Sequence, residues 1–372
     1  MNSIGLADFK AMWATNRQGF LDAVDRVGRS GWLVLGNEVS GFEVELAAWW
    51  GLPHAVGVAN GLDALEIAFR CEGMKPGDAV LTTPLSAFAT TLAILRVGAV
   101  PVFVDVDESG LLDLELAAEA MKRTPRPRFI VPVHLYGHAM NLDRLESFAR
   151  QHELCVIEDC AQAIGARSGA RVVGSASRVC ATSFYPTKNL GALGDAGALL
   201  TTDEAIRDQA RCLRDYGQTD KYVHDEVGLN SRLDELQAAL LRSVQLPHLK
   251  SQTERRAQIA GRYLNELKNP AVVIPPVPNA SESVWHLFPL LTRSRAAFRE
   301  HLSKLGVQSG LHYPKLIPEQ QAMQKVEHSV VGELSRARRF ADEEVSIPLH
   351  PMMSDGDVRR VIEAVNSFGE RA

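Results

Sequence analysis

The sequence predicts an α/β fold: a mostly parallel sheet covered by helices on both faces, followed by a smaller C-terminal α/β domain. Three observations carry this. Short apolar runs with few alternating polar residues recur from about residue 55 to about residue 200, as in strands buried on both faces. Helix-like stretches separate those runs. A proline-rich break, Asn269-Pro270 and Ile274-Pro275-Pro276-Val277-Pro278, then marks a change of composition.

In chain order, strands are expected at 54–59, 79–83, 102–104, 129–133, 155–157, 179–184 and 198–201. Helices are expected between them at 63–70, 88–96, 114–122 and 142–152, with two more at 233–244 and 252–267. Beyond the break lie a strand-like piece at 287–291 and helices at 295–305 and 355–367. The boundary is placed near residue 245, giving a large domain over 1–245 and a small one over 246–372. Open sheets of this kind bind ligands at the carboxyl ends of their strands.

Composition narrows the function classes. A chain of 372 residues allows about two to three domains. The net charge of −5 argues against an electrostatic nucleic-acid partner, and no run reaches membrane-spanning length. The N-terminus lacks a basic flank followed by an apolar core, so no signal peptide is expected. Cys71, Cys155, Cys160, Cys180 and Cys212 are odd in number and contain no C-x-x-C pair. They suggest buried thiols in a reducing compartment, hence a cytoplasmic protein. The eleven histidines show no metal-ligand spacing, so no metal is expected.

The most informative stretch runs from Ser183 to Gly197, S-F-Y-P-T-K-N-L-G-A-L-G-D-A-G. It sets Lys188 between an apolar run and a turn with three glycines. In a pocket that excludes water the ammonium is disfavoured, and a neutral amine can attack an aldehyde. The plainer reading is a hairpin with an ordinary exposed lysine. Asp159, at the end of the 155–157 strand, can hold a heterocyclic nitrogen in its positive form, or cap a helix starting at Cys160. Asn60-Gly61-Leu62 follows a strand and opens a helix, a place where free N–H groups donate to a phosphate, with the Ser183 hydroxyl in reach from a neighbouring strand end. Asn230, Ser231 and Arg232 precede an amphipathic helix and read as a capping turn, or Arg232 contacts an anion or Asp234.

With Lys188, Asp159 and Asn60-Gly61 in this order, the chain closely resembles the DegT-type sugar aminotransferases, fold-type-I pyridoxal-phosphate enzymes. The matching segments are G-V-A-N-G-L-D-A-L (57–65), H-L-Y-G (134–137), E-D-C-A-Q-A-I-G-A (158–166) and S-F-Y-P-T-K-N-L-G (183–191). G-D-A-G (194–197), R-D-Y-G (214–217), the run from Lys221 to Ala239 and H-Y-P (312–314) continue the match in collinear order. The resemblance implies pyridoxal 5′-phosphate as cofactor, with Lys188 as the internal-aldimine lysine and proton carrier. It implies Asp159 as partner of the pyridine nitrogen and Gln162 as partner of the ring hydroxyl. It also implies a phosphate cradle from Asn60, Gly61, Leu62 and Ser183, and Asn230 as a phosphate contact from the other subunit of a homodimer with its sites at the interface.

Three departures stand out. Leu62 replaces the usual hydroxyl or methionine, leaving only a backbone contact there. The segment Ser86-Ala-Phe-Ala-Thr90 puts alanine at the expected ring-stacking position 87, with the aromatic one residue on at Phe88. Cys160 replaces a common alanine, expected to be a packing change because a thiol must ionise to react. The implied reaction is amination of a nucleotide-linked keto-deoxysugar, dTDP- or UDP-linked, with glutamate or glutamine as donor. Tyr222, His224, Arg232, His286, His312 and Tyr313 are the candidate substrate contacts. A cyclitol ketone substrate and a catalytically silent sugar-binding homologue are the alternatives. A dehydratase would lack Lys188, and a nicotinamide enzyme would need the G-x-G-x-x-G that Gly57-Val-Ala-Asn-Gly61 does not supply.

Overall fold

The computed structural model describes residues 3–122 and 126–369. Two helices precede the first strand. Helix α1 (Phe9–Ser30) is capped by Asp8, which accepts from the Ala11 amide, and ends at left-handed Gly31. Helix α2 (Asn37–Trp50) has no capping side chain of its own. Glu235, distant in sequence, accepts from the Gly36 and Val39 amides at 2.8 Å and from the Glu38 amide at 3.0 Å, satisfying donors that a helix start leaves free.

The α/β succession follows: β1 (His54–Val58), α3 (Gly61–Cys71), β2 (Ala79–Thr82), α4 (Phe88–Arg96), β3 (Val100–Val104), α5 (Leu114–Ala120), β4 (Phe129–Val131), α6 (Leu142–His152), β5 (Cys155–Asp159), β6 (Val179–Ser183), β7 (Gly197–Thr201) and α7 (Glu204–Arg214). All seven expected strands and the four helices between them form within a few residues of their anticipated ends. Helices α1, α2 and α7 add to that expectation.

After α8 (Glu235–Leu240) the chain continues as a π turn over 241–245 and a 3₁₀ turn holding Pro247, so the helix expected over 233–244 is regular for only part of its length. Then come α9 (Leu249–Glu266), β8 (Phe288–Leu291), α10 (Arg295–Lys304), β9 (Ser329–Val331), α11 (Ser335–Glu343), β10 (Glu344–Ile347) and α12 (Asp355–Asn366). β8 pairs antiparallel with β10. Around them Ile259, Phe288, Phe298, Leu302, Val345 and Val361 build a separate apolar cluster. That unit is not closed off from the rest. β9 returns to the large sheet, parallel to β3, and Ile4 bridges to Val307.

The eight strands of the large sheet run in the order β1-β7-β6-β5-β4-β2-β3-β9. Only β7 is antiparallel to its neighbours. Its register sets the site: Gly197 pairs with Val58 at the end of β1 and with Ser183 at the end of β6, while Asp159 at the end of β5 pairs with Ala181. Three carboxyl ends thus meet at one edge.

Candidate active site

Lys188 lies in the long loop joining antiparallel β6 and β7, so the hairpin is present, but its lysine is partly buried rather than exposed. Its amide donates to the Tyr185 carbonyl at 2.8 Å, which closes a turn through Pro186. Gly191 lets that turn fold tightly, since a Cβ there would sit 2.4 Å from the Pro186 oxygen. The lysine lines a cavity of about 630 Å³ together with Asn60, Gly61, Asp159, Gln162 and Ser183. Burial lowers its pKa to about 8, against an opposing pull from Asp159. The amine is therefore neutral far more often near neutral pH than a solvated lysine is.

Asp159 is nearly fully buried, and no helix starts at Cys160. Its Oδ1 accepts from the Ala161 amide at 3.0 Å, capping a turn, and its Oδ2 accepts from the Thr90 hydroxyl at 2.8 Å. The carboxylate is thus fixed in direction, and among the described residues no cation forms an ion pair with it. Gln162 is oriented at both ends: its Oε1 accepts from the Tyr136 amide at 2.8 Å, and its Nε2 donates to the Tyr313 hydroxyl at 3.1 Å. Cys160 is wholly buried, and burial pushes its thiol well above the ordinary range, the environment of a packing residue.

The phosphate-sized end of the cavity is built from the start of α3. Asn60 spends its side chain on the helix, accepting from the Asp63 amide at 2.8 Å and donating to the Asp63 carboxylate at 3.1 Å. That leaves the first amides of the helix, with their favourable dipole, for a ligand. Leu62 lines the cavity and offers only its backbone as a polar group. A Cβ on Gly61 would lie 2.7 Å from the Ser183 Cβ, and one on Gly197 would lie 2.4 Å from the Asn60 carbonyl carbon. Both glycines are required by close approach. Ser231 pins the same turn through a 3.1 Å hydrogen bond from the Ala59 amide.

The C-terminal half closes the opposite wall with His286, His312 and Tyr313. Burial, and then the charge of Lys188, holds both imidazoles down, His312 to about 4. Burial pushes the Tyr313 phenol up to about 12. Glu344 supports this wall: it accepts from the His312 amide at 2.6 Å and from the Ser346 hydroxyl at 2.5 Å. Its own pKa rises to about 7, chiefly through burial.

Several expected residues fall elsewhere. Phe88 does not line the cavity; it packs with Phe103, Ile317 and Met323. The physical reason is register: α4 begins at Phe88, and the helical turn carries that ring away while Ala87 and Ala89 face the cavity. Arg232 pairs with Asp215 at 2.8 Å rather than with Asp234, and lies over the Tyr216 ring. Asn230, Tyr222 and His224 are exposed and do not line this cavity. Thr90 and Arg96 line the cavity without having been assigned roles. Thr90 stands in the quoted 86–90 segment, but its bond to Asp159 spans 69 positions, which no local pattern reveals. Arg96 is held by Asp63 at 3.0 Å and Glu66 at 2.6 Å. His134, Glu158 and Cys160 cluster within 4.8 Å. There the Glu158 carboxylate is already occupied by His134, two backbone amides and Ser177.

The donor set fits a phosphorylated aldehyde with a cationic ring nitrogen. It supplies free amides and a hydroxyl at one end, an unpaired buried carboxylate at the floor, and between them an amine of lowered basicity. Comparison with known proteins points the same way. The profile of the DegT/DnrJ/EryC1/StrS aminotransferase family matches residues 15–366. The chain is 42% identical to a dTDP-3-amino-3,4,6-trideoxy-alpha-D-glucose transaminase of Streptomyces venezuelae over 366 residues, 98% of this chain and 96% of that one. It is 36% identical to a UDP-N-acetyl-3-dehydro-alpha-D-glucosamine 3-aminotransferase of Acidithiobacillus ferrooxidans, covering 98% and 97% of the two chains. The crystal structure of S. venezuelae DesV superposes with a TM-score of 0.95 at 41% identity over 100% of both chains.

Proposed function

This chain belongs to the DegT/DnrJ/EryC1/StrS aminotransferase family, and we propose that it aminates the C-3 ketone of a dTDP- or UDP-linked deoxysugar, with pyridoxal phosphate as cofactor and glutamate as donor. The observation that carries the reading is Lys188, an amine of lowered basicity in one cavity with Asp159 and the start of α3. The two relatives described above support the substrate class and the position, since both names place the nitrogen at carbon 3 of a nucleotide sugar.

When bound, pyridoxal phosphate supplies an exchangeable carbonyl and a ring that takes up the electron pair left by a departing proton. Gly61, Leu62 and Ser183 would hold the phosphate by two amides and a hydroxyl. Asp159, kept in place by Thr90 and the Ala161 amide, would pair with the ring nitrogen and favour its protonated form. Gln162 would serve the ring hydroxyl. Lys188, available as the neutral amine, would anchor the carbonyl, and its Nζ would hold and move the proton in both halves of the reaction. A positioned proton carrier of this kind is worth about 10²–10⁴-fold in rate. Asn230 is proposed to reach the phosphate of the partner protomer's site, which makes the working unit a homodimer. Tyr222, His224 and Arg232 are proposed to lie over that same partner site.

The test is a panel of dTDP-, UDP- and GDP-linked 3-keto and 4-keto sugars, with a cyclitol ketone alongside them, incubated with glutamate and read by mass spectrometry. The expected result is a 3-amino product from a dTDP or UDP sugar. Conversion of a cyclitol ketone with no nucleotide sugar converted contradicts the reading.

A further inference from the structure

A second cleft, of about 60 Å³, shares Thr187 and Lys188 with the main cavity and is otherwise lined by Asp8, Gln252, Arg256 and His350, among others. Arg256 is its distinctive feature. The residue is only 7% exposed. Its Nη1 donates to the carbonyls of Trp285 at 3.1 Å and Leu349 at 2.8 Å. Among the described residues it forms no ion pair. Burial lowers its pKa to about 10, with no acidic group opposing the shift. A buried guanidinium with no counter-charge is costly, and the tie between the two loops uses Nη1 alone.

His350 is the second, independent observation. It is also 7% exposed, and its Nδ1 is buried with no hydrogen-bond partner. Burial and the charge of Arg256 hold its pKa at about 4, against opposing pulls from Asp8, Asp357 and a Gly5 backbone hydrogen bond, so the ring is neutral. The carboxylate in the lining, Asp8, accepts from the Ala11 amide at 2.8 Å as the cap of α1. An arginine lacking an anion, an imidazole with its Nδ1 unpartnered and the amide of Gln252 thus border one small space beside Lys188.

We propose that this cleft is a carboxylate site that receives the amino donor, with Arg256 as counter-charge and Gln252 and His350 as hydrogen-bonding groups. The assignment rests on the aminotransferase reading, which requires an amino acid to approach Lys188. Size decides between the two substrates: a cleft of about 60 Å³ suits a carboxylate and not a nucleoside diphosphate.

The test has two arms. Calorimetry measures glutarate, a dicarboxylate without an amine, binding to cofactor-free wild type, R256Q, R256K and Q252L, with sulfate as the competing inorganic anion. Steady-state kinetics on cofactor-loaded protein measures kcat/KM separately for glutamate and for the keto-sugar. R256Q should weaken glutarate binding and glutamate kcat/KM by roughly tenfold to a hundredfold, leave sugar kcat/KM within about twofold, and be partly rescued in R256K. Glutarate binding that is equal in wild type and R256Q overturns the proposal. So does an equal fall for glutamate and sugar, the pattern expected if only the loop tie is lost, or displacement of glutarate by sulfate at equal concentration. If R256Q does not fold, Q252L decides by the same comparison. A wild type that takes no amino group from glutamate, yet binds glutarate through Arg256, removes the aminotransferase reading and leaves the carboxylate site standing.

Discussion

Lys188 owes its chemistry to desolvation outweighing a nearby carboxylate, and this has a measurable sign. Its pKa lies near 8, below the ordinary 10.5, so the attacking amine becomes abundant as pH rises through 8. The rate at which cofactor-free protein takes up pyridoxal phosphate should rise about tenfold per pH unit below 8 and level off above it; a midpoint near 10.5 in stopped-flow absorbance would contradict this. Glu344 has the opposite sense. Its folded pKa, about 7, exceeds the ordinary 4.5. Its contribution to stability is therefore complete below about 4.5 and is lost as pH rises through about 7. Glu344→Gln cannot titrate, so its Tm should fall less than that of wild type across this window. Parallel Tm curves would show that Glu344 is not responsible. At this scale the shared placement of Lys188, Asp159 and Ser183 in one cavity was legible because strand ends and a local turn place them, whereas Gln162 entered only through the family resemblance. Phe88 was not, because one residue of register at a helix start decides which side chain faces the cavity.

Among elements, the β1–α3 turn and the start of β7 are interlocked through Gly61 and Gly197. Gly197→Ala would bring a Cβ to 2.5 Å from the Asn60 oxygen and 2.7 Å from the Gly61 nitrogen, backbone atoms that cannot swing aside. The variant should lose roughly 1–3 kcal/mol in urea denaturation and bind pyridoxal phosphate more weakly. Gly261, inside α9, meets nothing within 4 Å, so Gly261→Ala should instead gain about 0.5–1 kcal/mol from helix propensity. Comparable losses in both would refute the close-approach argument. The sheet strands were readable because burial on both faces leaves unbroken apolar runs. Helix α1 was harder: exposed Trp13, Leu21 and Val24 share it with buried Phe20, Ala23 and Val27, which blurs the one-sided pattern that marks a surface helix. Strand β9 is three residues long, and its place beside β3 depends on a return of the chain from far along the sequence.

The whole molecule presents features that a lone protomer leaves unexplained. Trp32, Leu33, Val34, Tyr222, Val223 and Val227 are all at least 42% exposed, and exposed apolar side chains in such numbers favour a partner surface. Asn230 is exposed as well, outside its own cavity. If each site joins Lys188 of one protomer to the partner subunit's Asn230, mixing and refolding inactive K188A with a cofactor-poor N230A should restore roughly a quarter of wild-type activity, by random pairing in an isologous dimer. No recovery would place Asn230 outside the partner's site. Family and reaction class were legible from collinear motifs spread along the chain. The Arg256 cleft was not, since α9, Trp285 and Leu349 meet only in three dimensions. The central claim is that Lys188 is the amine that bonds the cofactor. It is tested most directly by loading the protein with pyridoxal phosphate, reducing with borohydride and mapping peptides by mass spectrometry. The account predicts a phosphopyridoxyl mass on the peptide bearing Lys188 and none in K188A; an unlabelled Lys188, or a label on another lysine, would contradict it.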